Sequence, residues 1–321
     1  MVKPNFKRAK EEAYKTLMLQ ENFSFPINPK NIKLKEYDIK IISFQEYAQK
    51  TNLSINQLTS NGNTNDGYTY IKNNNILIFY NEDIERQIIK LHEETKDFAT
   101  LYVGFQADKV RITLPDGIRS FPFTVKELNR LGYRSWGCTL MDGNFHFVML
   151  DFYLKHTGYD FYWLIEYDVR FNGDWKNYFE FFADKDDDFI SAHIGDFSGD
   201  TRWTRWKEIE LVNIKLSHKM LLRSFNPICR FSNRALSLLN ERCLLGDRGH
   251  NEVLMPTLFK CFNLKISDFG GNGRFIYTGC PGLFYTDDPN DVCGDKCTHR
   301  FRLAHTEGEM ALPGMIYHPV K

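Results

Sequence analysis

Two carboxylates, Glu166 and Asp168, stand at the end of an apolar aromatic run, Phe161–Ile165 (FYWLI). A run of this length and composition, bounded by polar residues, reads as a buried strand. Side chains alternate along a strand, so Glu166 and Asp168 are expected on one side. Two anions at the end of a core strand are costly unless a cation sits between them. A hard divalent ion would serve, and such an ion keeps positions open for substrate phosphates. The plainer reading is a solvated strand end paired with Arg170. A second acid, Glu252, falls near the start of a predicted helix in GHNEVL, where a carboxylate also favours the helix dipole. Cys280, Cys293, Cys297 and His299 share a Gly/Asp/Pro-rich loop. The spacing Cys-x3-Cys-x-His is tight enough for a structural zinc clip with Cys280 as fourth ligand, although it is not a standard finger pattern. Unliganded loop cysteines are the alternative. Trp203 and Trp206 could be core residues or could stack on sugar rings.

Composition bounds what these residues can belong to. The chain has 321 residues, 42% of them hydrophobic and 15% aromatic, enough for one large domain or two. Equal numbers of basic and acidic residues give a formal net charge of +0. That gives no support to a nucleic-acid partner, for which a basic face is expected. No stretch approaches the ~20 apolar residues of a membrane span. The first residues, MVKPNFKRAKEEAYK, are basic without an apolar core, so no secretory signal is expected. Four of the seven cysteines (Cys138, Cys229, Cys243, Cys261) sit in apolar or helical contexts and read as free thiols. The expected compartment is the cytoplasm.

Elements that position the carboxylates follow from pattern. Residues 1–90 are rich in Lys, Asn, Glu and Ile, and residues from about 97 onward hold nearly all the Trp, Cys and Gly. The expected division is therefore a small α+β N-terminal domain over 1–96 and an α/β domain over 97–321. In the first, Lys7–Gln20 and Phe44–Thr51 read as helices, and Pro26 and Pro29 interrupt the chain between them. Ile39–Ser43, Tyr68–Lys72 and Ile76–Tyr80 read as strands, the last two around a turn at Asn73–Asn75. In the second, Ala99–Phe105, Phe189–His193 and Leu264–Phe269 read as strands. Helices are expected at Pro122–Leu131, Phe145–Leu154, Cys229–Leu239 (with Ser232 as N-cap) and Gly249–Phe262. Strands alternating with helices predict an α/β sheet with sites at strand ends.

The order helix, FPINP, short strand, DGYTYI, NNILIFYNED, ERQIIKLHEETK resembles the first half of ImmA/IrrE-type metallopeptidases. That family carries HExxH on a helix, two His for zinc and a Glu as general base. Here the matching residues are His92, Glu93 and Lys96, and a protonated lysine is no zinc ligand. The resemblance implies a degenerate, zinc-free version, with His92 and Glu93 on a connecting helix.

From about residue 97 onward the sequence resembles GT-A-type glycosyltransferases, and more narrowly glycosyltransferase-like proteins with a W-x-I-E-Y-D-V-R-F signature. The residues that carry this are YWLIEYDVRFNGDW, WTRW at Trp203–Trp206, RFSNRAL at Arg230–Leu236, GHNEVLMPTLF at Gly249–Phe259 and the terminal IYHPVK. The resemblance implies a mixed sheet flanked by helices, and transfer of a sugar from a nucleotide-sugar donor to a glycan or other hydroxyl acceptor, for example in surface polysaccharide synthesis. It implies manganese or magnesium held by Glu166 and Asp168, with His318 completing the shell. Glu252, or failing it Asp247, becomes the base that deprotonates the acceptor, and the RFSNRAL residues Arg230 and Ser232 become donor contacts. The departures are Glu-x-Asp in place of Asp-x-Asp, and a weakly marked first strand. They keep open a non-catalytic binding module on the same fold.

Overall fold

The chain divides after Tyr70, and the second unit spans Ile71–Lys321. The computed structural model describes residues 74–80, 85–286 and 296–321, all within that second unit. The expected helices at Lys7–Gln20 and Phe44–Thr51 and the strands at Ile39–Ser43 and Tyr68–Lys72 lie outside the described residues.

Seven strands form one mixed sheet among the described residues. In chain order they are β1 (Asn74–Phe79), β2 (Ala99–Gln106), β3 (Arg119–Phe123), β4 (Phe161–Ile165), β6 (Phe189–Asp196), β8 (Leu222–Ser232) and β10 (Ile266–Asp268). Across the sheet the order is β10-β6-β8-β4-β1-β2-β3. Only β8 runs against its neighbours, β4 and β6. Helices α1 (Glu85–Thr95), α2 (Val125–Arg130), α3 (His146–Lys155), α4 (Trp175–Phe181), α5 (Asn233–Leu245) and α6 (Asn251–Cys261) flank it. The two-stranded pieces β5 (Arg170–Phe171) with β11 (Ile316–Tyr317), and β7 (Ile209–Glu210) with β9 (Arg248–Gly249), sit outside the main sheet. This is the mixed α/β architecture that the GT-A resemblance implies.

Several expectations about position change. The boundary at 96/97 moves to 70/71, because β1 is a central strand that pairs in parallel with both β2 and β4. Ile76, Leu77, Ile78 and Phe79 are buried, and the supposed turn residues Asn74 and Asn75 are already in the strand. Parallel neighbours need a crossover, and α1 is that crossover between β1 and β2. Ile88, Leu91 and Thr95 are its buried face. The peptidase resemblance therefore finds no support: the ERQIIKLHEET helix is the first βα unit of the sheet, and Glu93 is ion-paired with Lys96 on its exposed side. The segment Cys229–Phe231 is strand rather than helix, with the helix starting at Asn233. Ser232 is the N-cap as expected, its hydroxyl accepting from the Ala235 amide. Pro122 and Phe123 end β3, and Thr124 caps α2.

An aromatic layer holds this architecture together. Trp163 of β4 is packed by Tyr178 and Phe179 of α4 and by Phe182, with ring centroids 5.6, 5.0 and 5.3 Å away. Phe284 then covers Tyr178 at 4.7 Å. Burial of large rings contributes strongly to stability, and here it fixes β4 rigidly up to Ile165, the residue before the first carboxylate.

Candidate active site

The chain runs outward from β1 through β2 to β3, then returns to place β4 on the other side of β1. That reversal is a topological switch point, where the carboxyl ends of parallel strands leave a crevice. Glu166 is the first residue after β4. Its amide donates to the Pro227 carbonyl of β8 at 2.7 Å, which fixes where the strand ends. The Val169 amide then donates to the Glu166 carbonyl at 3.2 Å. The two carboxylates are thus brought together by a turn, not by strand alternation.

The C-terminal segment closes over them. β11 pairs antiparallel with β5, setting Tyr317 opposite Arg170. The Val320 amide donates to the Asp168 carbonyl at 2.9 Å. His318 is delivered between the acids, its Nε2 3.6 Å from Glu166 Oε2 and 3.5 Å from Asp168 Oδ1. Its other nitrogen, Nδ1, donates to the Arg300 carbonyl at 2.8 Å and so orients the ring. Burial pushes the imidazole down, but the neighbouring Asp168 and Glu166 outweigh it and hold the pKa up to about 9. Arg170 does not take the role of counter-ion, since its guanidinium turns to the carbonyls of Tyr167 and Val169 at 2.6 and 3.1 Å.

The donor set fits a divalent metal. Glu166, Asp168 and His318 each offer one ligand atom, all within 4.8 Å of one another. Asp168 Oδ1 is buried without a hydrogen-bond partner, the kind of orphan atom that an ion satisfies. Two carboxylates and an imidazole suit a divalent ion with oxygen and nitrogen ligands better than a thiolate-seeking one.

Glu252 lies in the first turn of α6, which His250 caps by accepting the Glu252 amide on Nδ1 at 3.3 Å. Gly143 makes room for that cap: a Cβ there would stand 2.3 Å from the His250 ring. Burial, assisted by Arg205, drives the His250 pKa down to about 4, so the ring is neutral. Burial also raises the Glu252 pKa to about 7; Arg205 opposes this and the charge of Glu166 adds to it. Glu252 Oε2 is 3.6 Å from Arg205 Nε and 3.7 Å from His250 Nδ1. A small cavity of about 20 Å³ is lined by Glu166, Asn226, His146 and Asn251, the neighbour of Glu252. It has room for a water, and both ring nitrogens of the buried His146 lack partners.

The other expected site residues are placed elsewhere. Asp247 is buried and committed: it accepts from the Val212 amide at 2.6 Å and from Arg242 at 2.7 and 2.9 Å. Arg230 and Ser232 lie toward the opposite end of β4, opposite Trp163 and Phe161. Arg230 donates to the carbonyls of Phe182, Lys185 and Asp187, and Ser232 donates to Asp188. Both hold the fold and do not face the carboxylates. The cysteine loop falls only partly within the described residues. Cys293 lies outside the described residues. Cys280, Cys297 and His299 form no metal-holding group among the described residues, where Glu166, Asp168 and His318 form one. His299 is instead wholly buried among His193, Phe225, Tyr285 and His318, with ring centroids 5.0 to 6.1 Å away. Sequence reasoning missed Arg205, His250 and Asn226, although the WTRW and GHNE motifs contain the first two.

No protein-family model matches the sequence, and no curated protein matches it. Solved structures do. One is a 4-diphosphocytidyl-2C-methyl-D-erythritol synthase from Anaerococcus prevotii DSM 20548, 10% identical, with a TM-score of 0.33, covering 64% of this chain and 91% of that one. Another is mouse xyloside xylosyltransferase 1 in its apo form, 10% identical, with a TM-score of 0.32, covering 60% of this chain and 81% of that one. No helix among the described residues is long and apolar enough to cross a membrane.

Proposed function

We propose that this protein is a divalent-metal-dependent glycosyltransferase that moves a sugar from a nucleotide-sugar donor to an acceptor hydroxyl. The observation that carries the reading is the convergence of Glu166, Asp168 and His318 at the switch point of the sheet, with Glu252 near enough to feel the charge of Glu166. The three ligands would hold manganese or magnesium, which supplies neutralisation of the donor diphosphate as it departs. Asp168 and Glu166 provide the negative charge that selects a cation there, and His318 is fixed by its bond to Arg300 so that Nε2 faces them. Glu252 takes the acceptor proton as general base. A pKa of about 7 suits that work, since base strength and the fraction ionised are both adequate near neutrality. The buried free thiols Cys229 and Cys243 fit a reducing compartment, consistent with a cytoplasmic enzyme. The test is calorimetry of the full chain with nucleotide sugars, with and without manganese. Metal-dependent donor binding that disappears in Asp168→Ala is the expected result. Donor affinity unchanged by that substitution in a folded chain would remove the metal assignment.

A further inference from the structure

The segment Asp200–Glu208 and the start of α6 meet around Glu252, and the two tryptophans there have different surroundings. Trp206 is buried and its Nε1 donates to the Asp200 carbonyl at 2.7 Å, so it is a core residue. Trp203 is only half-buried. It stands edge-to-face with Trp206 at 4.8 Å and 75°, and the Arg223 guanidinium lies 6.0 Å from its ring centre. The loop beneath is fixed, since Asp200 accepts from Arg223 at 2.7 Å and from the Arg202 amide at 3.2 Å. Arg205, two residues after Trp203, is held by Glu208 at 3.0 Å. Its Nε stands 3.6 Å from the Glu252 carboxylate, beyond hydrogen-bond reach, and that carboxylate retains 14% exposure.

A hydroxyl between Arg205 and Glu252 would accept from the guanidinium and donate to the carboxylate, two charge-assisted bonds in one place. We propose that Trp203, Arg205 and Glu252 form the acceptor subsite, and that the acceptor is a neutral pyranose. The proposal rests on the transferase reading above and names the acceptor class for it. The ligand class follows from the pair of surfaces. A pyranose has apolar C–H faces for the Trp203 ring and a rim of hydroxyls for the charged pair. A simple alkyl alcohol satisfies Glu252 and leaves Trp203 without an aromatic-facing partner. An anionic acceptor gains Arg205 but meets Glu252, Glu208 and Asp200.

The experiment uses the full chain loaded with manganese and a nucleoside diphosphate, titrated with methyl hexopyranosides and followed by saturation-transfer NMR. Hexane-1,6-diol and glucuronic acid are the comparison probes. The expected result is saturable pyranoside binding, at least about tenfold weaker in Trp203→Ala and largely kept in Trp203→Phe, as stacking requires. Thermal stability and diphosphate affinity should be the same in all three proteins. Pyranoside binding unaffected by Trp203→Ala, no saturable pyranoside binding, or equal binding of the diol would each overturn the proposal. Loss of metal-dependent diphosphate binding in the unsubstituted chain would instead count against the transferase reading, so the two failures are distinguishable.

Discussion

Strand β4 carries buried charge at both of its ends, and the ends differ in how that charge is satisfied. At its start, Asp188 accepts from Ser232, from Arg234 and from the Lys265 amide. Asp187 accepts from Ser267 at 2.6 Å and from Tyr277 at 2.7 Å. Arg230 spends its terminal nitrogens on three carbonyls and lies 4.0 Å over the Phe161 ring, leaving only Nε without a partner. At its finish, Asp168 Oδ1 has no hydrogen bond, His318 stands 3.5 Å or more from both acids, and Glu252 is 3.6 Å from its nearest cation. Buried polar groups in native proteins are normally paired. Among the charged groups, a deficit at one end and near-completeness at the other separates a site that awaits a ligand from a network that holds a fold; the buried amide of Asn75, opposite Tyr162, is the neutral exception at the start.

The comparison breaks most sharply at Asp168. Asp168→Ala should abolish metal-dependent donor binding, a loss of at least about 100-fold in affinity, because a ligand carboxylate contributes most of the local negative charge. Thermal stability should fall only modestly, since Asp168 Oδ1 makes no hydrogen bond and Glu166 still faces the His318 imidazole. Calorimetry and a melting curve on the same sample check both halves. A large drop in melting temperature would mean that this end is structural too.

Glu252→Gln sharpens the same contrast with a smaller effect. It keeps size and removes basicity, so transfer should fall by about 100-fold or more, the low end for loss of a general base. Donor affinity should stay near normal. The wild-type transfer rate should rise with pH through about 7, because the carboxyl is protonated and idle below its raised pKa. That rise should vanish in the glutamine variant. A near-wild-type rate in the variant would favour a retaining mechanism that needs no such base.

The opposite end predicts the reverse pattern. Arg230→Met should cost stability, about 3–5 kcal/mol as for other broken buried charge networks, while leaving donor affinity per folded molecule unchanged. Urea unfolding followed by calorimetry on the folded fraction reads the two separately. Asp247→Asn belongs with this group, for its carboxylate is occupied by Arg242 and the Val212 amide.

These contrasts show where sequence was sufficient. The aromatic run FYWLI marked β4 correctly because burial on both faces leaves a continuous apolar signature, and the two acids at its end stood out against it. Ser232 announced a helix start by its type. Long-range closure left no such mark. The nearness of His318 to Asp168 depends on β11 pairing with β5, two strands of two residues each, too short for any pattern to reveal. Resemblance alone suggested it. Strand β8 was hidden because the last four residues of LRSFNPICRFS fall inside the helix expected at Cys229–Leu239, while Pro227 and the polar residues Arg223, Ser224 and Asn226 interrupt its first part. The sheet accommodates them through the register shifts between β6 and β8 on the Phe225 side. The donor contacts that the resemblance implied for RFSNRAL are not met at Arg230, which points into the core and is 1% exposed.

The smallest expected effect lies at the first βα unit and tests how far the contrast reaches. His92 is half-buried on α1, and its Nδ1 has no hydrogen-bond partner. An unpartnered nitrogen there invites the same suspicion as Asp168 Oδ1. The surroundings argue otherwise. Glu93 is exposed and drawn to Lys96, whose ammonium holds the carboxyl below its usual range. The His92 ring packs against Gly117, where even a Cβ would come within 3.0 Å of Nε2. No acid or thiol joins it in a group of three ligands among the described residues. His92→Ala should therefore change stability by no more than about 1 kcal/mol, the range for partly buried positions away from a network, and should leave the metal content of the purified chain unaltered. Elemental analysis of both proteins is the measurement. Stoichiometric zinc in the wild type that disappears in the variant would show that an orphaned nitrogen marks a site here too, and that unpartnered atoms rather than converging acids are the better guide in this fold.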